Sequence, residues 1–475
     1  GPVTEIALRR WVEELAAAEV DTFIQEAYTQ GWTTYWRTDG FEYDARPQHR
    51  RFLALLDAGV QPLGVLLDQS HHHGMKFLAG IRINDNHGHV SAKQGVGAGA
   101  GFLLNNPQWR LRDAPPGAYY RLSTPMDFTF SEVRDYLFSV TEALVAKFDV
   151  DGLELCFRDH RYFPPGRGPE SQPLMTDLVQ RIRLMLDRKQ GKAGRRLQLG
   201  VRVYQTIEEC RSQGLDVPGW ISESLVNYVA PGDVMYSDPN APYEAFVELA
   251  RGAGCKVYPS LQPWSSVRMR RREAGRPISI EQQRAVLRNI DGSGADGFSS
   301  YNHFVPIQSA PFYPMMLQDF PELKDPSEVA RGARHYVFEP IWAGCTGFGE
   351  DGRAPTGAMK ADSIVLRRTD LRPSARYRFC VREDFSQVRR AMLLFRGRNM
   401  TARDRFEVRL NGVEVPRPKV KWRTDEKRID LGAPVDVNAR TSSGEPLVPV
   451  IPEGPILTVW FDLAGRAARD GDNWL

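Results

Sequence analysis

The sequence predicts an α/β fold, a (β/α)8 TIM barrel over residues 1–357 followed by a small all-β sandwich over 361–475. Three observations lead there. The chain has 475 residues, too many for one ordinary core, so its length favours a large unit plus a smaller one. Short runs rich in Val, Ile, Leu and Phe alternate with amphipathic segments, the pattern of buried parallel strands joined by helical crossovers. After Gly357 the texture changes to alternating strands broken by turn residues.

The elements follow in order. A helix over 4–18 leads into a strand at 20–26, and a helix over 48–68 into a strand at 76–85. Ser131 reads as the cap of a helix carrying Val133, Leu137, Val140 and Leu144, and a strand follows at 151–158. Further strands are expected at 197–204, 225–230, 255–262 and 297–301, separated by helices such as 244–253 and 280–290. Those are seven strands. The eighth would lie before residue 1 or in an element that the apolar pattern does not reveal. In the second unit 363–366, 377–379, 391–395 and 406–410 read as strands, and Asn411-Gly412 is a strong hairpin signal. Gly471 to Leu475 reads as the start of a last strand.

Composition narrows the classes of function. The formal charge of +3 is nearly balanced, and the one dense basic run, Arg268 to Arg272, is short and reads as a solvated helix face, so nucleic acid is not expected as a partner. No stretch of eighteen apolar residues is present, so no membrane span is expected. The five cysteines are widely spaced and odd in number, without a CxxC pair, which argues against a disulfide framework or a zinc cluster. The compartment stays open, with a secreted or periplasmic one favoured over the cytoplasm; oligomeric state is not legible.

In a barrel of this kind the active site lies at the C-terminal ends of the strands. The most informative segment is Asp151-Gly152-Leu153-Glu154-Leu155-Cys156-Phe157-Arg158. Alternation puts Glu154, Cys156 and Arg158 on one face, toward the lumen or its mouth, and Leu153, Leu155 and Phe157 on the helix side. A carboxylate there is costly to bury unless paired or used, and Arg158 is near enough along the strand to pair with it. Glu154 is therefore either a general acid/base or nucleophile, or half of an ion pair bracing the barrel.

This segment resembles the Asp-Gly-x-Asp-x-Asp-x-Glu strand of family 18 chitinase-like barrels and, more closely, the Asp-Gly-x-Glu-x-Asp-Phe-x-Arg strand of glycoside hydrolase family 10-like bacterial proteins. With the second group the resemblance extends to Arg82-Ile83-Asn84-Asp85-Asn86-His87 and to the sandwich around Leu410-Asn411-Gly412. Arg158 stands where the chitinase-like acid would be, and Cys156 where both groups usually carry Asp. The resemblance implies a glycosidase acting on an oligosaccharide or polysaccharide without a cofactor. Glycoside hydrolysis usually needs two carboxylates, and Asp85 is the candidate second to Glu154, with an Asx turn as the alternative.

Arg82, Asn84 and His87 flank Asp85, and Arg202 and Tyr204 share a face at the end of their strand. Arg82, Arg158 and Arg202 converging on one mouth would suit an anionic glycan, unless each neutralises a local carboxylate. Gln262 and Trp264, and Tyr301 and His303, follow later strands and complete the expected substrate contacts, aromatic faces stacking on sugars and amides reading hydroxyls. No metal is expected. His71-His72-His73 lies at the opposite end, His87 and His89 lack a third partner cluster, and the glycine-rich 95–101 run lacks the Lys-Ser/Thr ending of a phosphate loop. Two rival readings remain. One is a carbohydrate-binding barrel that has lost catalysis, given Cys156 and Arg158; the weaker is a lyase-type or metal-assisted activity through His87.

Overall fold

The computed structural model describes residues 1–44, 46–85, 100–111, 125–157, 161–189, 194–232, 237–263, 278–301, 315–338, 366, 368–398, 404, 406–415, 419–423, 456–463 and 468–475. Its centre is a parallel sheet crossed by helices. Strands β1 (Thr22–Thr29), β3 (Lys76–Arg82), β4 (Gly152–Cys156), β5 (Gln198–Val203), β6 (Tyr228–Pro231) and β7 (Lys256–Val257) pair in that order, all parallel. A short β2 (Thr33–Thr34) folds back antiparallel on β1. Two residues after β7 the chain resumes as β8 (Ser260–Leu261), which pairs in parallel with β9 (Ser299–Ser300). The seven strand positions read from apolar runs are therefore all occupied.

The sheet is curled. Arg202 on β5 reaches Ser299 on β9, and Tyr301 just after β9 reaches Glu26 on β1, contacts that a flat sheet of this order could not make. Among the described residues there is no eighth strand position beyond these seven and no ladder pairing β9 to β1, so the expected closed (β/α)8 barrel reduces here to a curled parallel α/β sheet.

Helices cover the outer face because the strands present one apolar parity to it. Leu153, Leu155 and Phe157 are fully buried, each contributing about 1.5–3 kcal/mol of burial. They lie in one core with Leu137, Val140 and Leu144 of α3 (Ser131–Lys147) and Leu178, Val179 and Ile182 of α4 (Gly168–Arg188). Over β1 and β3, in the same core, α1 (Glu5–Ala17), capped by Thr4, packs on α2 (Pro62–His72). Ser131 is the first residue of α3 rather than its cap; Phe130 holds the cap position without a side-chain bond. No described helix is long and apolar enough to cross a membrane.

Strands β4 and β5 approach closely at Gly152. A Cβ there would overlap the Gln198 carbonyl oxygen and lie 2.7 Å from the Gln198 nitrogen and carbonyl carbon, all of them backbone. Gly152→Ala should thus force two central strands apart and cost about 3 kcal/mol, the upper end of ordinary overpacking. Denaturant midpoints would check this; a loss under about 0.5 kcal/mol would mean that the ladder is looser than described.

From residue 368 onward the described chain forms antiparallel ladders: β10 (Arg378–Val381) with β16 (Gly471–Trp474), β11 (Ala391–Arg398) and β14 (Lys419–Arg423) on either side of β15 (Ile456–Leu463), and the hairpin β12 (Arg409–Leu410) with β13 (Val413–Glu414). Asn411 and Gly412 form its turn, both at positive φ. Phe379 and Val381 of β10, Leu410 of β12 and Val415 form a small core, with Leu393 of β11 packed against it. Two amides join this part to the α/β part. Asn240 accepts from the Cys380 N–H and donates to the Arg378 carbonyl, while Asn289, on α5 (Ile280–Gly292), accepts from the Arg382 N–H and donates to the Cys380 and Pro239 carbonyls.

Candidate active site

Alternation along the strands sends Glu154 inward from β4, Arg202 from β5 and Tyr228 from β6, and the register sets Glu154 beside Gly200 and Cys156 beside Arg202. Gly200 matters because the Tyr228 ring occupies the space a side chain there would take. The Tyr228 hydroxyl thereby crosses β5 and donates to Glu154 Oε2 at 2.9 Å. Arg202 donates from Nε to Glu154 Oε1 at 2.9 Å and from Nη2 to Oε2 at 3.2 Å. It also donates to Ser260 Oγ and Ser299 Oγ, each at 2.6 Å. Glu154 is 3% and Arg202 1% exposed. A buried ion pair this completely bonded meets the condition under which two charges can leave water. Ile24, Leu78, Ala230 and Tyr258 pack with the Tyr228 ring as an apolar cluster beside the pair.

Above the pair the arrangement opens. The Arg202 guanidinium carbon lies 4.7 Å from the centroid of the Tyr301 ring, and the Tyr301 hydroxyl donates to Glu26 Oε1 at 3.0 Å. Cys156 Sγ is 3.9 Å from that hydroxyl. The Glu26 side chain is 33% exposed, and Arg82 Nη1 stands 3.9 Å from the same oxygen. Among the described residues none donates a hydrogen bond to its second oxygen. The β1–β3 register shifts between Glu26 and Tyr28, a bulge of the kind that re-aims a side chain at a sheet rim.

Arg82 Nη1 also pairs with Asp85 Oδ2 at 3.0 Å, and Asp85 is wholly buried. Asn84, between them, has φ of 63°, a left-handed conformation that asparagine tolerates better than most residues. Its amide donates to the Met126 and Arg161 carbonyls and accepts from the Met126 N–H. Asn84 therefore stitches the loop that aims Arg82 and Asp85, with its amide committed to backbone rather than presented to a ligand.

A second charged patch adjoins this mouth. Asp44 is fully buried and takes the Arg46 guanidinium on both oxygens, and Arg46 Nη2 also donates to the Tyr35 hydroxyl at 3.1 Å. Burial pushes the Tyr35 hydroxyl far up, Arg46 opposes this, and the charges of Glu26, Asp44 and Asp85 add to it, which ties the patch electrostatically to the mouth. His49 stacks on Tyr35 with centroids 4.1 Å apart. Burial lowers the His49 pKa from 6.5 to about 4; Asp44 opposes the shift and Arg46 reinforces it. Asp44 does not prevail because Arg46 already neutralises it and faces His49 Nε2 at 3.4 Å, a place for an acceptor.

The unfolded chain protonates this imidazole first. The stabilisation from neutral His49 is then complete above pH 6.5 and is lost as pH falls toward about 4. Melting temperature should fall across that window, and His49→Gln should flatten the slope; an unchanged slope would remove His49 as its source.

Of the residues read from sequence, the structure brings Glu154 and Arg202 together as one pair, and Arg82 and Asp85 as another. The described partner of Glu154 is Arg202 on the neighbouring strand, where the sequence suggested Arg158. Gln262 is buried, its backbone bonded to Ser237 Oγ, and Tyr204 is 1% exposed inside the main apolar core. Tyr301 stands at the mouth. His87, Arg158, Trp264 and His303 lie outside the described residues. Sequence reasoning missed Glu26, Tyr228, Ser260 and Ser299. Glu26 carried a signal, a carboxylate closing the first apolar run on the same parity as Ile24.

No family model and no curated protein sequence matches the chain. Among solved structures it is similar to alpha-L-fucosidase isoenzyme 2 from Paenibacillus thiaminolyticus, at 14% identity and a TM-score of 0.44, covering 68% of this chain and 46% of that one. It is similar also to a noncanonic maltogenic alpha-amylase from Thermotoga neapolitana, at 14% identity and a TM-score of 0.34, covering 63% of each chain. A third is a beta-galactosidase from the psychrophilic Marinomonas ef1, at 12% identity and a TM-score of 0.37, covering 62% of this chain and 51% of that one. The chain thus matches less than half the length of the fucosidase. Likenesses this distant place it in no family.

Proposed function

We propose that the chain is a glycoside hydrolase-like protein acting on a glycan at the C-terminal rim of its parallel sheet, within an α/β unit at 1–357 that carries a β-sandwich at 361–475. One observation carries the reading. Glu26 is a part-exposed carboxylate at that rim, held at one oxygen by Tyr301, with no donor to the other among the described residues. An ionised carboxylate so placed suits attack on an anomeric carbon or activation of water.

In this reading the chemistry falls to Glu26 rather than Glu154, whose oxygens are both committed to Arg202 and Tyr228. Asp85 remains the second carboxylate near the reacting centre. Its Oδ2 and Glu26 Oε1 contact the same Arg82 nitrogen, so they are at most about 7 Å apart, within the spacings catalytic pairs use. Arg82 and Arg202 are each matched to a carboxylate, so a neutral glycan suits the mouth better than the anionic one that three converging guanidinium groups suggested.

The sealed Glu154–Arg202 pair favours a second reading, a carbohydrate-binding barrel without turnover. A panel of neutral and acidic oligosaccharides, assayed for sugar release and for binding by calorimetry, separates the two. Release supports the hydrolase; binding without release supports the binding barrel; neither, across the panel, would end the glycan reading.

A further inference from the structure

We propose that Arg202, braced by Glu154, is a positioning residue for Glu26 and acts through Tyr301. The inference rests on assigning the site's chemistry to Glu26. That side chain has several rotatable bonds and is one-third exposed, and its anchors among the described residues are the Tyr301 hydroxyl at 3.0 Å and, more loosely, Arg82 at 3.9 Å. Tyr301 follows β9, which pairs with β8 and not with the main ladder. Its backbone N–H donates to the Leu261 carbonyl, and its ring rests against the Arg202 guanidinium.

Arg202, in contrast, is fixed by donated hydrogen bonds to Glu154, Ser260 and Ser299, from three different strands. Order therefore passes from a fully bonded centre, through an aromatic ring, to a carboxylate at the rim. A guanidinium over a phenol face holds the ring by cation–π attraction and, by drawing on its electrons, strengthens the O–H as a donor. The bonding around Arg202 thus does more than brace strands: it sets where the Glu26 oxygens stand, and a reacting group must be held to a fraction of an ångström.

Two variants isolate the links. Tyr301→Phe keeps the stacked ring and removes the hydroxyl. Glu154→Leu combined with Arg202→Met replaces the pair by apolar groups of similar volume, a change that buried ion pairs tolerate. Crystal structures of both, solved without substrate, should show the Glu26 carboxylate displaced by about 1 Å or more, or split between conformers. With a substrate from the panel, kcat should fall about 100-fold and KM change little.

A purely structural role predicts a lower melting temperature with Glu26 unmoved. An unmoved carboxylate in both variants overturns the proposal. If the double variant does not fold, Arg202→Lys, which keeps the charge and loses the flat stack, takes its place, with the same two outcomes. Absence of turnover in the parent would count against the hydrolase reading alone, because the crystal comparison needs no substrate.

Discussion

Glu26→Gln should lower turnover about 1,000-fold and leave the melting temperature within about 2 °C of the parent. The amide is isosteric, and its carbonyl can still accept from Tyr301, so the packing around Glu26 on β1 should survive. What goes is the negative charge, needed whether the group attacks carbon or takes a proton from water. Part-exposed positions rarely cost much stability on such a change. The contrast is Glu154→Gln, which weakens the partner of a buried guanidinium; it should lower stability, and its loss of turnover, through a loosened Arg202, should stay well below that of Glu26→Gln. Turnover within a few-fold of the parent in Glu26→Gln would sink the assignment, and a large loss in Glu154→Gln alone would return the chemistry to that residue.

Arg202→Ala should be the most destabilising single change, about 3–5 kcal/mol. Alanine leaves Glu154 buried with the Tyr228 hydroxyl as its described donor, and it strips Ser260 and Ser299 of their shared partner. An uncompensated charge at 3% exposure has no solvent to turn to. Urea denaturation would measure the loss, and the Glu154→Leu, Arg202→Met double variant should recover most of it. A cost below about 1 kcal/mol would mean that water reaches the pair.

The strand positions were legible because a strand buried on both faces is a continuous apolar run, and each of the seven runs read from sequence in the α/β part carries a strand, while 363–365 lie outside the described residues. Parity was legible as well, placing Glu154 inward and Leu153 outward. Pairing across strands was not. Glu154 faces Gly200, and its partner lies two residues further along β5, a diagonal set by a register no local pattern encodes. Tyr228 reaches Glu154 by passing over a glycine whose purpose cannot be seen until three strands are aligned. Glu26 takes its meaning from Tyr301, 275 residues away, so the sequence presented it as the end of an apolar run beside Gln25. Asn84 was read as a ligand contact because its residue type and position fitted; a left-handed backbone turned its amide onto Met126 and Arg161 instead.

The amides of Asn240 and Asn289 have a consequence for how copies of the molecule meet. Strand β10 bonds β16 along one side, and its other side would bare the N–H and carbonyl groups of a free rim, the template on which a foreign strand can add. The two asparagines occupy that rim at Arg378, Cys380 and Arg382, each offering donor and acceptor much as a neighbouring backbone would. The same bonds that fasten one part of the chain to the other therefore also close this edge to fibril-like growth.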